Sequence, residues 1–348
     1  MLPAKFNAWL MRRWYGDGPI GFLIPLAGLF VLVSGVRRWC YRHGILRVAK
    51  LPVPVIVVGN IAVGGSGKTP FAIWLAQALT HLGYHPGIIT RGYGGKSTHW
   101  PLLITSQTDP HMAGDEAVLL ASRTRVPVCA APDRVKAAHC LLRHSNVDVI
   151  ISDDGLQHYR LGRDVSVILL GGAGWQGNGW RLPAGPLRES KQHLREADLV
   201  ICKSVTDPGP ASPEASAFPM RLTLEDAVNL MDESRLPLVK FAGQRVHAVA
   251  GIGQPQQFFA SLAHRGLQVD GHALPDHAPL SGSDLNFADG LPVLMTEKDA
   301  IKCRGRRLPN CWYVPATAEF TGQDADRILT TIRQRLKRAG DAVEKEPN

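Results

Sequence analysis

Residues 59–70 read Gly-Asn-Ile-Ala-Val-Gly-Gly-Ser-Gly-Lys-Thr-Pro and follow the apolar run from Val53 to Val58. A buried strand feeding a glycine-rich turn that ends in Gly-Lys-Thr directs backbone N–H groups at nucleotide phosphates. Val63, Gly64, Gly65, Ser66 and Gly67 form the expected cradle, with glycines where φ > 0 or close approach to an anion is needed. Lys68 is placed to reach the β- and γ-phosphates of a bound ATP, and the Thr69 hydroxyl to ligate Mg²⁺. The helix beginning there turns its positive end to the same phosphates. One position departs from the strict pattern, which has glycine where this chain has Ala62.

The 348 residues suffice for two domains. Six cysteines are scattered with no Cys-x-x-Cys pair, so they read as small apolar side chains in a reducing compartment and give no support for a zinc site. Of the net charge of +9, residues 1–50 carry +7 (eight Lys or Arg against Asp17), leaving +2 for the remainder. A nucleic-acid binder spreads basic charge over its folded domain. Here the charge brackets an apolar segment instead, which points to anionic lipid and not to nucleic acid.

That segment, Gly18 to Val36, is nineteen uncharged residues, roughly 28 Å as a helix. Trp9, Trp14, Tyr15, Trp39 and Tyr41 flank it, as interfacial aromatics do. Arginines lie on both sides and Pro25 interrupts the run, so a monotopic or re-entrant insertion competes with a span, and a buried helix of a soluble core is the third reading. Arg37, Arg38 and Arg42 close the run where a signal peptide would have a small-residue cleavage site.

Beyond the helix expected at about 68–82, short apolar strands alternate with helical patterns: 86–90, 126–130, 147–151, 165–170 and 199–202. This implies an α/β fold, a P-loop NTPase domain with a mostly parallel sheet. Residues 205–220, rich in Pro, Ala and Ser, read as a loop. A second, smaller α/β unit follows, with strands at 246–250, 292–296 and 312–314 and a closing helix at 324–338. The expected boundaries are 1–45 for the membrane-associated segment, 46–235 for the P-loop domain, 236–340 for the second domain and 341–348 for a frayed tail. Asp153-Asp154 closes an apolar strand about where P-loop enzymes keep the acid that holds Mg²⁺. Two adjacent acids cannot share one strand face, so one is expected on metal and the other toward a substrate hydroxyl. Asp115, taken alone, reads as a helix cap.

Further segments recur with this P-loop: Arg91-Gly-Tyr93-Gly-Gly, Gly114-Asp115-Glu116, Asp133-Arg134, Asp153-Asp154-Gly-Leu-Gln157-His158, Leu182-Pro-Ala-Gly-Pro-Leu-Arg188-Glu189, Gly251-Ile-Gly253, Pro275-Asp-His277 and Thr296-Glu-Lys-Asp299. In this order, over about residues 20–305, the set resembles the tetraacyldisaccharide 4′-kinase (lipid A 4′-kinase) family of Gram-negative bacteria. The resemblance implies ATP-dependent phosphorylation of the 4′-hydroxyl of a tetraacylated glucosamine disaccharide 1-phosphate at the cytoplasmic face of the inner membrane. The implied partners are that glycolipid and a membrane surface, with no obligate protein partner. It also implies that Asp115 and His277 form a catalytic dyad, with His277 arriving from the second domain, and that Glu116 joins Asp153 and Thr69 around Mg²⁺. Asp154 and Arg188 match catalytic positions; Tyr93, Gln157 and His158 match substrate positions. Arg91 and Arg134 either bind the lipid's phosphate or sugar or make ordinary salt bridges. His277 is followed by Ala278-Pro279, where a polar residue would be expected.

Two rival readings are a GTPase and a membrane-tethered switch ATPase acting on a protein. Thr296-Glu-Lys-Asp has one residue too many for the guanine-selecting Asn/Thr-Lys-x-Asp, and Cys202-Lys-Ser-Val lacks its Asp. A switch leaves the loops at 91–95 and 182–189 without a task.

Overall fold

Apolar side chains on both faces of the strand after Lys50 require cover from both sides, and the chain supplies it. The computed structural model describes residues 4–16, 18–204, 217–280 and 282–344. Two helices come first, α1 (Ala4–Trp14) and α2 (Ile24–Arg42). The first α/β unit runs β1 (Val55–Gly59), α3 (Lys68–His81), β2 (Pro86–Thr90), β3 (Leu102–Ile104), α4 (Pro110–Ala113), α5 (Asp115–Thr124), β4 (Val128–Ala130), α6 (Arg134–His144), β5 (Val149–Ser152), β6 (Val165–Leu170), α7 (His193–Glu196), β7 (Leu199–Ser204) and β8 (Phe218–Leu224). A second unit holds β9 (Ala227–Asn229), β10 (Arg235–Leu236), β11 (Arg245–Ala250), α8 (Pro255–His264), β12 (Gln268–Ala273), β13 (Val293–Thr296), α9 (Glu297–Ile301) and β14 (Cys311–Val314). β15 (Ala316–Glu319) and α10 (Gly322–Glu344) end the described chain.

The first sheet has nine strands in the order β15-β8-β7-β6-β1-β5-β2-β4-β3, parallel from β8 to β4 with one antiparallel strand at each edge. Ile56 and Val58 face one core with Phe71 and Leu75 of α3, while Val55 and Val57 face the other with Val135 and Leu141 of α6. Central parallel strands covered by helices on both faces are apolar throughout, as here. The second sheet has six strands, β10-β9-β14-β13-β11-β12, parallel from β14 to β12.

The closing helix belongs elsewhere than its place in the sequence suggests. β15 pairs with β8 of the first sheet, and Ile328, Ile332 and Leu336 of α10 enter the core that holds Phe71. The second sheet thus takes residues 227–314, and 316–344 return to the first unit, a different division from 236–340. Two strands make the crossing side by side, tied where Glu225 N–H donates to Pro315 O at 2.9 Å. Of the Pro/Ala/Ser-rich stretch 205–220, residues 205–216 lie outside the described residues, and 218–220 are strand. In the expected tail, α10 continues to Glu344, and 345–348 lie outside the described residues.

Only Ala27 of α2 is buried. Phe22, Leu26, Leu29, Leu32, Val33, Val36 and Trp39 are exposed, so this is not the core helix of a soluble domain. Pro25 does not break the helix, because it stands in its first turn, where the missing N–H has no intrahelical partner to lose. Leu10, Trp14 and Ile20 form a small cluster with Val63 and Leu182 beside it. Trp14 Nε1 donates to Pro183 O at 2.9 Å, and the Tyr15 hydroxyl to Val63 O. The amphipathic first helix is therefore docked on the glycine-rich turn.

Candidate active site

β1 ends at Gly59, and the turn that follows is held from below. Val63 N–H donates to Pro186 O at 2.9 Å and Arg188 N–H to Ile61 O at 2.8 Å. Ala62 forms an antiparallel bridge with Leu187 and keeps a negative φ, which explains why alanine serves where the strict pattern has glycine. Gly67 cannot be replaced this way. It caps α3 at φ 80°, and a Cβ there would lie 2.6 Å from Met220 Cε. The cleft beside the turn is lined by Tyr15, Val63, Gly64, Gly65, Ser66 and Gln254. Ser66 Oγ is buried without a hydrogen-bond partner.

At the end of the neighbouring β5, Asp153 and Asp154 take different directions because Asp154 has φ 48°. Asp154 lies 3.6 Å from Lys68 Nζ and 3.5 Å from an Arg188 guanidinium nitrogen. Burial raises the Asp154 pKa, but Lys68, Arg188 and Arg134 outweigh it and hold the carboxylate charged. Asp153 is fully buried, and burial, then Glu116 and Asp154, push it up to about 7 against Lys68 and Arg134. Its Oδ1 and Asp154 Oδ1 have no hydrogen-bond partner. The unpartnered Asp153 oxygen, the nearby Glu116 and the half-buried Thr69 hydroxyl make an all-oxygen donor set suited to a hard cation such as Mg²⁺.

The second unit contributes from the opposite side. Gly114, at φ 89°, lets the loop at 91–95 lie against the start of α5; a Cβ there would sit 2.3 Å from Tyr93 O. Asp115 opens α5 and is buried. Its carboxylate accepts from His277 Nδ1 at 3.0 and 3.1 Å, across 162 residues of sequence. Asp115 Oδ1 also accepts from Glu116 N–H at 2.9 Å, but Gly114 is the N-cap of α5 and Asp115 its first residue, so the carboxylate is not the cap its sequence suggests. The Tyr93 ring lies 4.8 Å from the His277 ring. His277 has φ 60°, a conformation non-glycine residues adopt rarely and most often where surroundings impose it. Burial lowers the His277 pKa, but the Asp115 hydrogen bond and charge, with Asp276, prevail and raise it. Asp115 is displaced down: burial opposes, while His277, Lys298 and Lys302 together win.

Three lysines complete the site; Lys298 lies within the recurring Thr296-Glu-Lys-Asp segment, whereas no recurring segment marks Lys302 or Lys203. Lys298 Nζ reaches Glu116 at 3.0 Å, Asp276 at 3.1 Å and His277 Nε2 at 3.3 Å. Lys302 lies 3.6 Å from Asp115 and 2.9 Å from Asp299. Asp299, wholly buried, accepts from Gly251 N–H at 2.9 Å and from Thr296 Oγ1 at 2.6 Å. Thr296-Glu-Lys-Asp is thus a brace for the Gly251 turn rather than a guanine clamp; its recurrence was the available signal. Lys203, brought down to about 8 by burial, donates to Gly65 O at 3.3 Å and to Gln254 and Gln257 of the second unit.

Not every expected residue joins this cluster. Arg134 is buried, and its two terminal guanidinium nitrogens donate to the main-chain oxygens of Ala131, Asp153 and Asp154 at 3.1–3.3 Å, while Nε has no hydrogen-bond partner. It makes neither a carboxylate salt bridge nor an open contact, because it begins α6 directly beneath the end of β5. Gln157 Nε2 donates to Asn60 O at 3.0 Å, and His158 sits 3.8 Å from Asp133. Arg91 is exposed near Arg134.

Taken together, the sheet order, the cradle after β1 and the acids after β5 define a P-loop nucleotide-binding protein whose second α/β unit closes on the phosphate side. The family profile described as tetraacyldisaccharide-1-P 4′-kinase matches residues 20–337, and the chain belongs to that family. A tetraacyldisaccharide 4′-kinase of Nitrosococcus oceani is 44% identical over 336 residues, 96% of this chain and 97% of the relative. One from Azoarcus sp. (strain BH72) is 48% identical over 323 residues, 92% and 94% of the two chains. The crystal structure of LpxK from Aquifex aeolicus in complex with ATP superposes with a TM-score of 0.75 at 30% identity, covering 91% of this chain and 99% of that one.

Proposed function

We propose that this chain transfers the γ-phosphoryl group of ATP to the 4′-hydroxyl of a tetraacylated glucosamine disaccharide 1-phosphate, giving the 1,4′-bisphosphate. The observation that carries the mechanism is the 3.0 Å contact between Asp115 of the first unit and His277 of the second. An imidazole whose Nδ1–H is fixed on a carboxylate offers Nε2 as a base near neutral pH. The sugar hydroxyl gives its proton to Nε2 as its oxygen bonds to the γ-phosphorus, and the bond to the bridging oxygen breaks with its electron pair leaving on ADP. Lys68 and Arg188 hold the transferring charge, and Asp154 positions both cations. Lys298, pinned by Glu116 and Asp276, opposes a second positive charge on the ring, and its Nζ, 3.3 Å from Nε2, has to give way to the sugar hydroxyl before Nε2 can take the proton. Mg²⁺ held by Asp153, Glu116 and Thr69 would neutralise phosphate charge.

The acceptor is a lipid, and the exposed apolar face of α2 supports a protein that lies on or in a membrane. Trp14 and Tyr15, at the end of the preceding helix α1, bond the loop at Pro183 and the nucleotide turn at Val63, so the segment that carries α2 is tied to the ATP site, and we place the enzyme at the cytoplasmic face of the inner membrane, where ATP is available. Phosphate transfer from γ-labelled ATP to detergent-solubilised tetraacyldisaccharide 1-phosphate tests this reading. Labelled bisphosphorylated lipid, lost in Lys68→Ala, is expected. ATP hydrolysis that neither needs the lipid nor labels it would overturn the kinase reading in favour of a switch.

A further inference from the structure

A second cluster of ionisable side chains lies at the other end of the second sheet. His247 stands near the start of β11, and the parallel register pairs it with Asp270 of the edge strand β12. His272 follows two residues later, so all three project from one face of the sheet. His247 Nδ1 is 3.0 Å from His272 Nε2 and 3.6 Å from Asp270 Oδ2. The other carboxylate oxygen, Asp270 Oδ1, is 4.0 Å from His272 Nε2, and one ligand atom from each of the three residues lies within 4.8 Å of the other two. Ligands about 2.0–2.1 Å from a tetrahedral zinc ion stand about 3.3 Å apart, so the two His247 contacts are near that value and a small rotation of the carboxylate closes the third side.

Protonation favours the same use. His247 Nε2 lies 3.0–3.1 Å from both oxygens of Asp289 and must donate to them. Its Nδ1 is then the lone pair, and it faces His272 and Asp270. A carboxylate orienting a ligating imidazole from behind is the usual outer-shell arrangement around a bound metal. Phe287 stacks on the His247 ring at 3.7 Å and lies 4.5 Å from that of His272, fixing both rings. Without a metal, His272 Nε2–H donates to His247 Nδ1; with one, His272 carries its proton on Nδ1. Arg245, 3.7 Å from Asp270, competes for the carboxylate and makes it the weakest ligand.

We propose that His247, His272 and Asp270 form a site for one borderline divalent cation, Zn²⁺ or a similar ion, with solvent at the open position. Two imidazoles and a carboxylate suit such ions better than Mg²⁺ or Ca²⁺. The site sits four residues before Gly251 along β11, roughly 13 Å from the turn that meets the P-loop. Its task is structural: it ties the edge strand to β11 and, through Asp289 and Phe287, to the segment after His277. No Cys pair or short-range motif announces it, because the ligands come from two strands.

Full-length, tag-free protein, stripped with chelator and free of nucleotide and Mg²⁺, is titrated with Zn²⁺ by calorimetry. One equivalent is expected in wild type and in Asp153→Ala, with binding at least tenfold weaker in His272→Ala and, should that variant not fold, in Asp270→Asn. The melting temperature of wild type rises with Zn²⁺. No saturable uptake, uptake unchanged in the folded His272 or Asp270 variant, or uptake lost in Asp153→Ala would each overturn the proposal.

Discussion

Asp153 and Asp154 are adjacent in sequence and opposite in charge behaviour. Asp154 faces Lys68 and Arg188 and stays ionised, while Asp153, buried beside two other acids, is held up to about 7. The Asp115–His277 pair divides in the same way, carboxylate down and imidazole up. His277 acts as a base only when neutral, so kcat/KM falls as pH drops through its raised pKa. Asp115→Asn removes the charge that raises it. The acidic limb of the profile should therefore move to lower pH, and the plateau should fall about 10²–10⁴-fold as the ring loses its orientation. A pH–rate series checks both, and a limb that stays in place would detach Asp115 from His277. Read from the residues alone, Asp115 is a helix cap; its partner lies 162 residues away, and no local pattern encodes that distance.

At the scale of elements, contiguous signals were legible and dispersed ones were not. The strand–turn–helix around Lys68 announces itself because one stretch of chain makes the whole cradle, and β1 and α3 lie where periodicity puts them. Pro25 misleads because a proline reads as an interruption until the helix start is known. The N-terminal segment proves to be two devices: α1 braces the P-loop through Trp14 and Tyr15, and α2 presents the exposed apolar face. Deleting residues 1–40 would damage both. Leu29→Asp with Leu32→Asp instead changes only side chains that are 56% and 63% exposed. At full insertion each such change costs about 3 kcal/mol, so flotation with anionic phospholipid vesicles should show binding reduced at least tenfold, with ATP binding retained. Unchanged flotation would place the membrane contact elsewhere.

The whole molecule is two sheets joined by a double crossing at Glu225 and Pro315. Arg123 spans the joint, 2.6 Å from Glu225 and 3.0 Å from Glu297. The sequence shows two α/β units but not that β15 and α10 return to the first, since a four-residue strand and an amphipathic helix fit either core equally well. This return anchors the second unit at both ends, so its loop carrying His277 meets α5 in one arrangement. On the proposed mechanism neither unit is a kinase alone: the first binds and polarises ATP, and the second brings the base. Lipid phosphorylation by folded His277→Ala protein, measured in a single turnover at saturating ATP, tests this division of labour most directly. The expected rate is about 10²–10⁴-fold lower, with ATP affinity within about threefold of wild type. A near-normal rate would contradict a base supplied by the second unit and leave the proton to another group.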